Sequence, residues 1–221
     1  MICTDVFFVR HGEPVLKKTL LGFTDSPLNQ LGWAQMETNI KPISGIDLVI
    51  SSPLIRCADF AQRYAKKNKV ALEIDARWKE CFFGDWDGET YDFLYENYPD
   101  ELNNFFNQPA KFMPPKGEPL WDFCHRVERV MEKMLLTHMG KNILVFTHAG
   151  VIRTLIAWCL NIDYESGIQF KRFALDYGSI THIRFYHDKK IIPQIMLMNY
   201  RREVPEIPTS HERHYECVGL P

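Results

Sequence analysis

Residues 5–13 read DVFFVRHGE, an unbroken apolar run that stops at Arg10, His11 and Gly12. Val6, Phe7, Phe8 and Val9 have the composition of a short strand covered on both faces of a parallel sheet. His11 then stands where that strand ends, held by the sheet behind it and open in front. Gly12 carries no side chain to keep a neighbouring group off the backbone. A lone Arg-His pair would simply be polar residues closing a strand. Its meaning here depends on what collects at the ends of the other strands.

The composition bounds the answer. With 221 residues, 46% of them hydrophobic, the chain can bury a full core. Residues 1–202 are expected to form one α/β domain, a three-layer α/β/α sandwich around a mostly parallel sheet with an antiparallel edge strand. A small helical insertion lobe is expected at about 89–119, and a tail at 203–221. The net charge of -2 provides no global field for nucleic acid or anionic lipid, so any phosphate selectivity must be local. The N-terminus shows no secretory pattern, and no apolar run reaches membrane-spanning length; a cytoplasmic protein is expected. The six cysteines are scattered without a C-x-x-C pair and read as reduced packing residues, not staples or zinc ligands.

Along the chain, residues 15–26 lack a period and read as a loop closing in T-D-S-P-L. Leu28, Leu31, Ala34 and Gln35 begin a helix that must end before Pro42. Leu48 to Ile50 form a second buried strand, followed by S-S-P-L-I-R. There Ser52 suits a helix cap and Pro53 the first helical position, with Leu54, Cys57, Ala58, Ala61 and Ala65 as the apolar stripe. Arg56 falls off that stripe and is expected to point toward the rim. A weak strand at 71–74 precedes R-W-K-E-C-F-F-G-D-W-D-G, and the aromatic lobe follows with helical pieces near 92–95 and 101–106. Leu120, Phe123, Cys124, Val127, Val130, Met131, Met134 and Leu135 mark the clearest helix. Ile143 to Phe146 is a fourth buried strand, Thr147 to Gly150 a tight exit, and 151–160 another helix. Thr181, Ile183 and Phe185 alternate with polar neighbours, and Pro193 makes the 191–198 strand an edge. His211 and His214 in the tail are spaced like metal ligands but lack any supporting acidic partner, so a surface tail is the reading taken.

Three strand ends carry the same kind of residue: Arg10 and His11 after the first, Arg56 after the second, His148 after the fourth. Ligands of open parallel sheets bind beyond the carboxyl ends of the strands, so these side chains can converge there. Two arginines, two imidazoles and helix N-termini suit a phosphoryl group. Neutral imidazole can attack phosphorus and carry the group as phosphohistidine. Arg10 and Arg56 offer planar forks for its oxygens, and His148 a further hydrogen bond. Glu80, ahead of the Gly-containing turn, is the candidate for protonating the leaving oxygen. Asp85 and Asp87 rival it, but as D-W-D-G turn residues they read as structural.

V-R-H-G-E at 9–13, G-F-T-D-S-P-L at 22–28, S-S-P-L-I-R at 51–56, E-C-F-F-G-D-W-D-G at 80–88 and T-H-A-G-V-I-R at 147–153 together resemble the histidine phosphatase superfamily with its phosphoglycerate mutase-like fold. The resemblance implies that His11 is the phosphorylated residue, with Arg10, Arg56 and His148 as phosphate pocket and Glu80 as proton donor. It implies substrate contacts from Lys17, Gly22, Phe23, Thr24 and Ala149, no metal or other cofactor, and a small phosphate ester as partner; a homodimer is compatible with it. Lys17 stands where many members carry asparagine. The turn after Glu80 and P-K-G-E-P-L-W-D-F-C-H-R-V at 115–127 are similar to those of α-ribazole-5′-phosphate phosphatases.

That subgroup makes α-ribazole 5′-phosphate the expected substrate. Phosphoglycerate mutase-type transfer or a broader sugar phosphate phosphatase is the alternative, and a non-catalytic phospholigand-binding module is a third. The lobe's aromatic residues, among them Trp86, Tyr91, Phe93 and Trp121, could offer a stacking wall, though most are expected to pack the lobe itself. No G-x-G-x-x-G follows the first strand, which disfavours a dinucleotide-dependent oxidoreductase.

Overall fold

The computed structural model describes residues 2–202. His211, His214 and Cys217 lie outside the described residues. Six strands, β1 (Ile2–Arg10), β2 (Leu48–Ser51), β3 (Ala71–Ile74), β4 (Asn142–Thr147), β5 (Ile180–His187) and β6 (Ile191–Tyr200), form one sheet in the order β3-β2-β4-β1-β5-β6. The first four run parallel; β5 and β6 are antiparallel to their neighbours. Pro193 lies on the edge strand β6, where its missing N–H interrupts no inner ladder.

Alternation of side chains divides the core between the two faces. On one face Val6, Phe8, Ile50, Val145 and Phe185 pack against α5 (Leu120–Thr137) and α6 (Ala149–Cys159). On the other Val9, Val49, Leu144 and Phe146 pack against α1 (Gln30–Ile40) and α2 (Ile55–Asn68). This is the three-layer sandwich. Two short helices, α3 (Tyr91–Asn97) and α4 (Pro99–Asn107), cover the α5 and α6 side, and α7 (Ile168–Arg172) precedes β5.

Two helix starts differ from expectation. The N-cap of α1 is Asn29, whose side chain accepts from the Gly32 N–H at 2.8 Å and donates to Glu13 Oε1 at 2.8 Å. Leu31 is 53% exposed, while Gly32, Met36 and Ile40 are buried. The helix turns Gly32 inward because a Cβ there would meet Glu13 O at 2.2 Å, and one on Gly12 would meet Gly32 O at 2.1 Å. The group that Gly12 admits is therefore the backbone of α1.

In α2 the N-cap is Leu54, not Ser52, and Pro53 precedes the helix. The Ile55 N–H is capped from a distance by Asp25 Oδ1 at 2.7 Å. Ser52 is drawn instead toward His148 (2.8 Å).

Candidate active site

Strand register brings the site together. Arg10 is opposite Thr147 and Ser51 opposite Phe146, so His11, His148 and Ser52 leave three adjacent strands at nearly one level. The His11 N–H donates to Thr147 O at 3.0 Å and the Ser52 N–H to Phe146 O at 3.0 Å, carrying the ladder one residue past each strand. The rings of His11 and His148 stand 5.2 Å apart, edge to face.

His11 is 6% exposed and its Nδ1 lies 2.8 Å from Gly12 O. A carbonyl only accepts, so Nδ1 carries the proton and Nε2 keeps its lone pair. Burial, then the charges of Arg56 and Arg10, holds the His11 pKa well below the ordinary histidine value. The ring is neutral at pH 7, the state a nucleophile needs.

Arg56 was expected at the rim, but it is fully buried. Its Nη1 donates to Thr24 O (2.9 Å) and its Nη2 to Gly22 O (2.7 Å) and Leu21 O (3.3 Å), while Nε donates to His148 Nδ1 (3.3 Å). The register that seemed to free it faces the 21–24 loop, whose carbonyls need donors. Four of its five N–H groups are thereby used, leaving one for a ligand. Because guanidinium cannot accept, His148 Nδ1 is unprotonated and its Nε2–H donates to Ser52 Oγ. Both ring nitrogens are taken, so in this arrangement the expected donation from His148 to a phosphoryl oxygen has no N–H to supply it. Arg10 is different. Its Nη1 donates to Leu175 O, its guanidinium lies 4.1 Å above the Tyr177 ring, and its buried Nε has no partner.

Glu80 is 1% exposed and accepts from the Gly150 N–H (3.0 Å) and the Cys81 N–H (3.0 Å). Burial raises its pKa; the two N–H donors and the charges of Arg56 and Arg153 oppose that rise. Gly150 is required here, since a Cβ would stand 2.3 Å from Glu80 Oε1. Arg126 positions the loop: it pairs with Glu118 at 2.7 Å and donates to the carbonyls of Arg77 (2.8 Å), Lys79 (3.0 Å) and Glu80 (3.2 Å). A small apolar pocket lies beside Glu80 and is lined by Phe83, Phe105, Phe123 and Phe170.

The expected substrate contacts fare unevenly. Lys17 is turned to Glu13 (2.5 Å). The N–H groups of Gly22 (3.3 Å), Phe23 (2.6 Å) and Thr24 (2.8 Å) all donate to the Asp87 carboxylate. Asp87 is thus a clamp on this loop, with Arg56 gripping the other side; Asp85 pairs with Lys116 at 3.0 Å. Phe23 remains partly exposed, 5.1 Å from Phe82, and Ala149 is buried in the first turn of α6. Asp87→Ala is expected to lower stability by about 2–4 kcal/mol through lost charge-assisted hydrogen bonds, read as a fall of roughly 5–15 °C in Tm, with a raised KM. An unchanged Tm would show that the loop holds without it.

Tyr177, Arg126, Arg153 and Gln169 escaped sequence reasoning. Arg153 had a signal: one charge inside the apolar helix V-I-R-T-L-I-A. Tyr177 had none, because a loop delivers it. Among the described residues no group of three His, Cys, Asp or Glu side chains could hold a metal ion, and no helix is long and apolar enough to cross a membrane.

The histidine phosphatase superfamily (branch 1) model matches residues 6–198. The chain belongs to that superfamily. Among curated relatives, this histidine phosphatase superfamily member is 31% identical over 190 residues to a bifunctional protein of Mycobacterium tuberculosis, covering 84% of this chain and 51% of that one. The chain therefore spans about half the length of the first curated relatives it matches. It is 28% identical to the adenosylcobalamin/alpha-ribazole phosphatase of Escherichia coli, over 75% of this chain and 84% of the relative. The solved alpha-ribazole phosphatase of Shigella flexneri superposes with a TM-score of 0.75 at 26% identity, covering 92% of this chain and 100% of that one.

Proposed function

We propose that the protein is a phosphomonoesterase that acts through a phosphohistidine on His11. One observation carries this reading: a buried, neutral imidazole whose Nδ1 is bound to Gly12 O, leaving Nε2 its lone pair under the charges of Arg56 and Arg10. His11 Nε2 attacks phosphorus, the P–O ester bond breaks, and Glu80 gives its proton to the departing oxygen. Glu80, now a carboxylate, then takes a proton from water, whose oxygen displaces His11 and yields inorganic phosphate. Arg10, through its unpartnered Nε, and the remaining N–H of Arg56 stabilise the charge that spreads over the phosphoryl oxygens.

Rapid quench of the enzyme with a labelled ester should trap an acid-labile, alkali-stable phosphate on His11. Hydrolysis without that label rejects the reading. Phosphate binding with no turnover across a broad ester panel would favour a binding module, and stimulation by a bisphosphorylated primer with little free phosphate a mutase.

For the leaving group, similarity to proteins named alpha-ribazole phosphatase supports α-ribazole 5′-phosphate, and hence a step in cobalamin nucleotide-loop synthesis. Free Cys3, Cys57, Cys81, Cys124 and Cys159 accord with a reducing, cytoplasmic setting.

A further inference from the structure

Tyr177 lies in the turn between α7 and β5, and its half-buried ring meets two groups of the site at once. The Arg10 guanidinium carbon stands over that ring, 4.1 Å from its centre, and the His11 ring lies 5.7 Å from it at an interplanar angle of 46°. The Tyr177 ring joins neither hydrophobic cluster of the core, so filling the interior does not account for an aromatic residue here. Its contact with Arg10 has a particular chemical value. A ring face attracts a cation through its quadrupole and accepts no conventional hydrogen bond, so it fixes the guanidinium while leaving the N–H groups available. A carboxylate in the same place would occupy those donors and cancel the charge that a phosphoryl group needs. Arg56 shows the contrast, since its hold consists of hydrogen bonds and takes up four of its five N–H groups. Arg10 donates from Nη1 to Leu175 O, and its buried Nε has no partner.

The backbone fixes Tyr177 from both sides. After it, the Gly178 N–H donates to His11 O (3.1 Å), the Arg10 N–H to Ser179 O (3.0 Å) and Asn39 Nδ2 to Gly178 O (3.1 Å). Gly178 has φ +70°, and a Cβ there would stand 3.0 Å from the Cβ of Gln35 in α1, so the turn favours glycine. Before it, the Asp176 N–H donates to Asn199 Oδ1 (2.7 Å) and Asn199 Nδ2 donates back to Asp176 Oδ2 (2.8 Å). Arg201 Nε pairs with the same carboxylate oxygen at 3.3 Å. The end of β6 thus anchors one side of Tyr177, and the exit of β1, which carries Arg10 and His11, anchors the other. The ring is set by the same backbone that sets the groups it touches.

We propose that Tyr177 is a positioning residue: the face of its ring holds the Arg10 guanidinium beside His11 with its open N–H groups kept for the phosphoryl oxygens. The role rests on the phosphohistidine reading for what Arg10 grips, and adds to it the side chain that sets the grip. Tyr177 acts through Arg10 and moves no proton. Its ring is required and its hydroxyl is not.

Changing the electrons of the ring without its shape tests this. Tyr177→Phe should keep at least about a third of the wild-type kcat/KM on p-nitrophenyl phosphate, whereas Tyr177→Leu should lose about 10- to 30-fold, the span of a desolvated cation–π contact. Phenylalanines with successively more ring fluorines at position 177 have a weaker quadrupole, so they should lower kcat/KM and the affinity for inorganic phosphate step by step at constant Tm. In an Arg10→Gln background the same steps in phosphate affinity, read by calorimetry, should shrink to within about twofold, because the partner of the ring is gone. A structural role would follow shape and Tm. A flat fluorine series, steps that persist without Arg10, or a Tyr177→Phe variant that is inactive or unfolded overturns the proposal. Phosphate affinity also separates it from the chemistry. A stepwise fall in that affinity with no phosphohistidine on the native enzyme would keep the positioning role and sink the phosphatase, whereas phosphohistidine turnover indifferent to fluorination would sink the positioning role alone.

Discussion

His11→Ala is expected to reduce kcat/KM for every hydrolysed ester by on the order of 10⁵ to 10⁶-fold, the scale seen when a covalent nucleophile is deleted from a site whose parts act as a unit. The loss is this large because no other group near the ring among the described residues can replace it. His148 has both nitrogens engaged, to Arg56 and Ser52, and lies fully buried. Cys57, 3.8 Å from His148 Nε2, has its thiol pKa pushed far up by burial and stays protonated. Steady-state assays together with the quench experiment check this: residual turnover above about 1% of wild type would show that phosphorus is attacked by something other than His11.

Glu80→Gln is expected to cost roughly 10² to 10⁴-fold in kcat for alkyl esters, the range assigned to a positioned general acid-base group. Its signature is a change in kinetics. An aryl ester such as p-nitrophenyl phosphate leaves without help, so its first step survives while the second, which needs a base for water, stalls. The variant should release one equivalent of p-nitrophenol per enzyme in a burst and accumulate phosphohistidine. Equal losses for alkyl and aryl esters with no burst would remove Glu80 from both proton transfers. The amide also points an NH₂ at one of the two N–H donors now facing the carboxylate, so some loss of stability accompanies the substitution.

The same groups give stability a pH dependence with a definite sign. His11 and His148 both have folded pKa values well below the ordinary 6.5, so beneath that pH the unfolded chain binds protons that the folded one refuses. Stability therefore rises with pH up to about 6.5, each ring contributing at most about 1.4 kcal/mol per pH unit. Glu80 acts oppositely. Its folded pKa lies above the ordinary 4.5, so from there up to the raised value the folded state holds the extra proton and stability falls as pH increases. Denaturant titrations between pH 4 and 7 should show a net rise with pH that steepens in Glu80→Gln; a flat profile would mean that the buried rings accept protons without penalty.

Local pattern made much of this protein legible before any coordinates. The apolar runs at 6–9, 48–50 and 143–146 suited buried strands of a parallel sheet, and the period from Leu120 to Leu135 matched a helix. The residues at the strand exits, His11 and His148 among them, named the chemistry. Pattern could not show how far each polar group was already committed, because hydrogen bonding across the fold depends on which loop lies opposite.

Arg56 illustrates the limit: helical phase put it off the apolar stripe, and only the return of the 21–24 loop turned it inward as the donor to three carbonyls and a histidine. Ser52 lost its capping role to the His148 ring 96 residues away, and α1 took its phase from the approach of Gly12 and Gly32. Residue type and spacing thus determined the strands, the helices and the reacting groups. Tertiary contact decided which of their donors stay open, since buried polar groups must find partners wherever packing supplies them. Among the described residues those left without one sit on Arg10, Arg153, Gln169, Ser179, Thr181 and Arg201, positions that residue type alone does not single out.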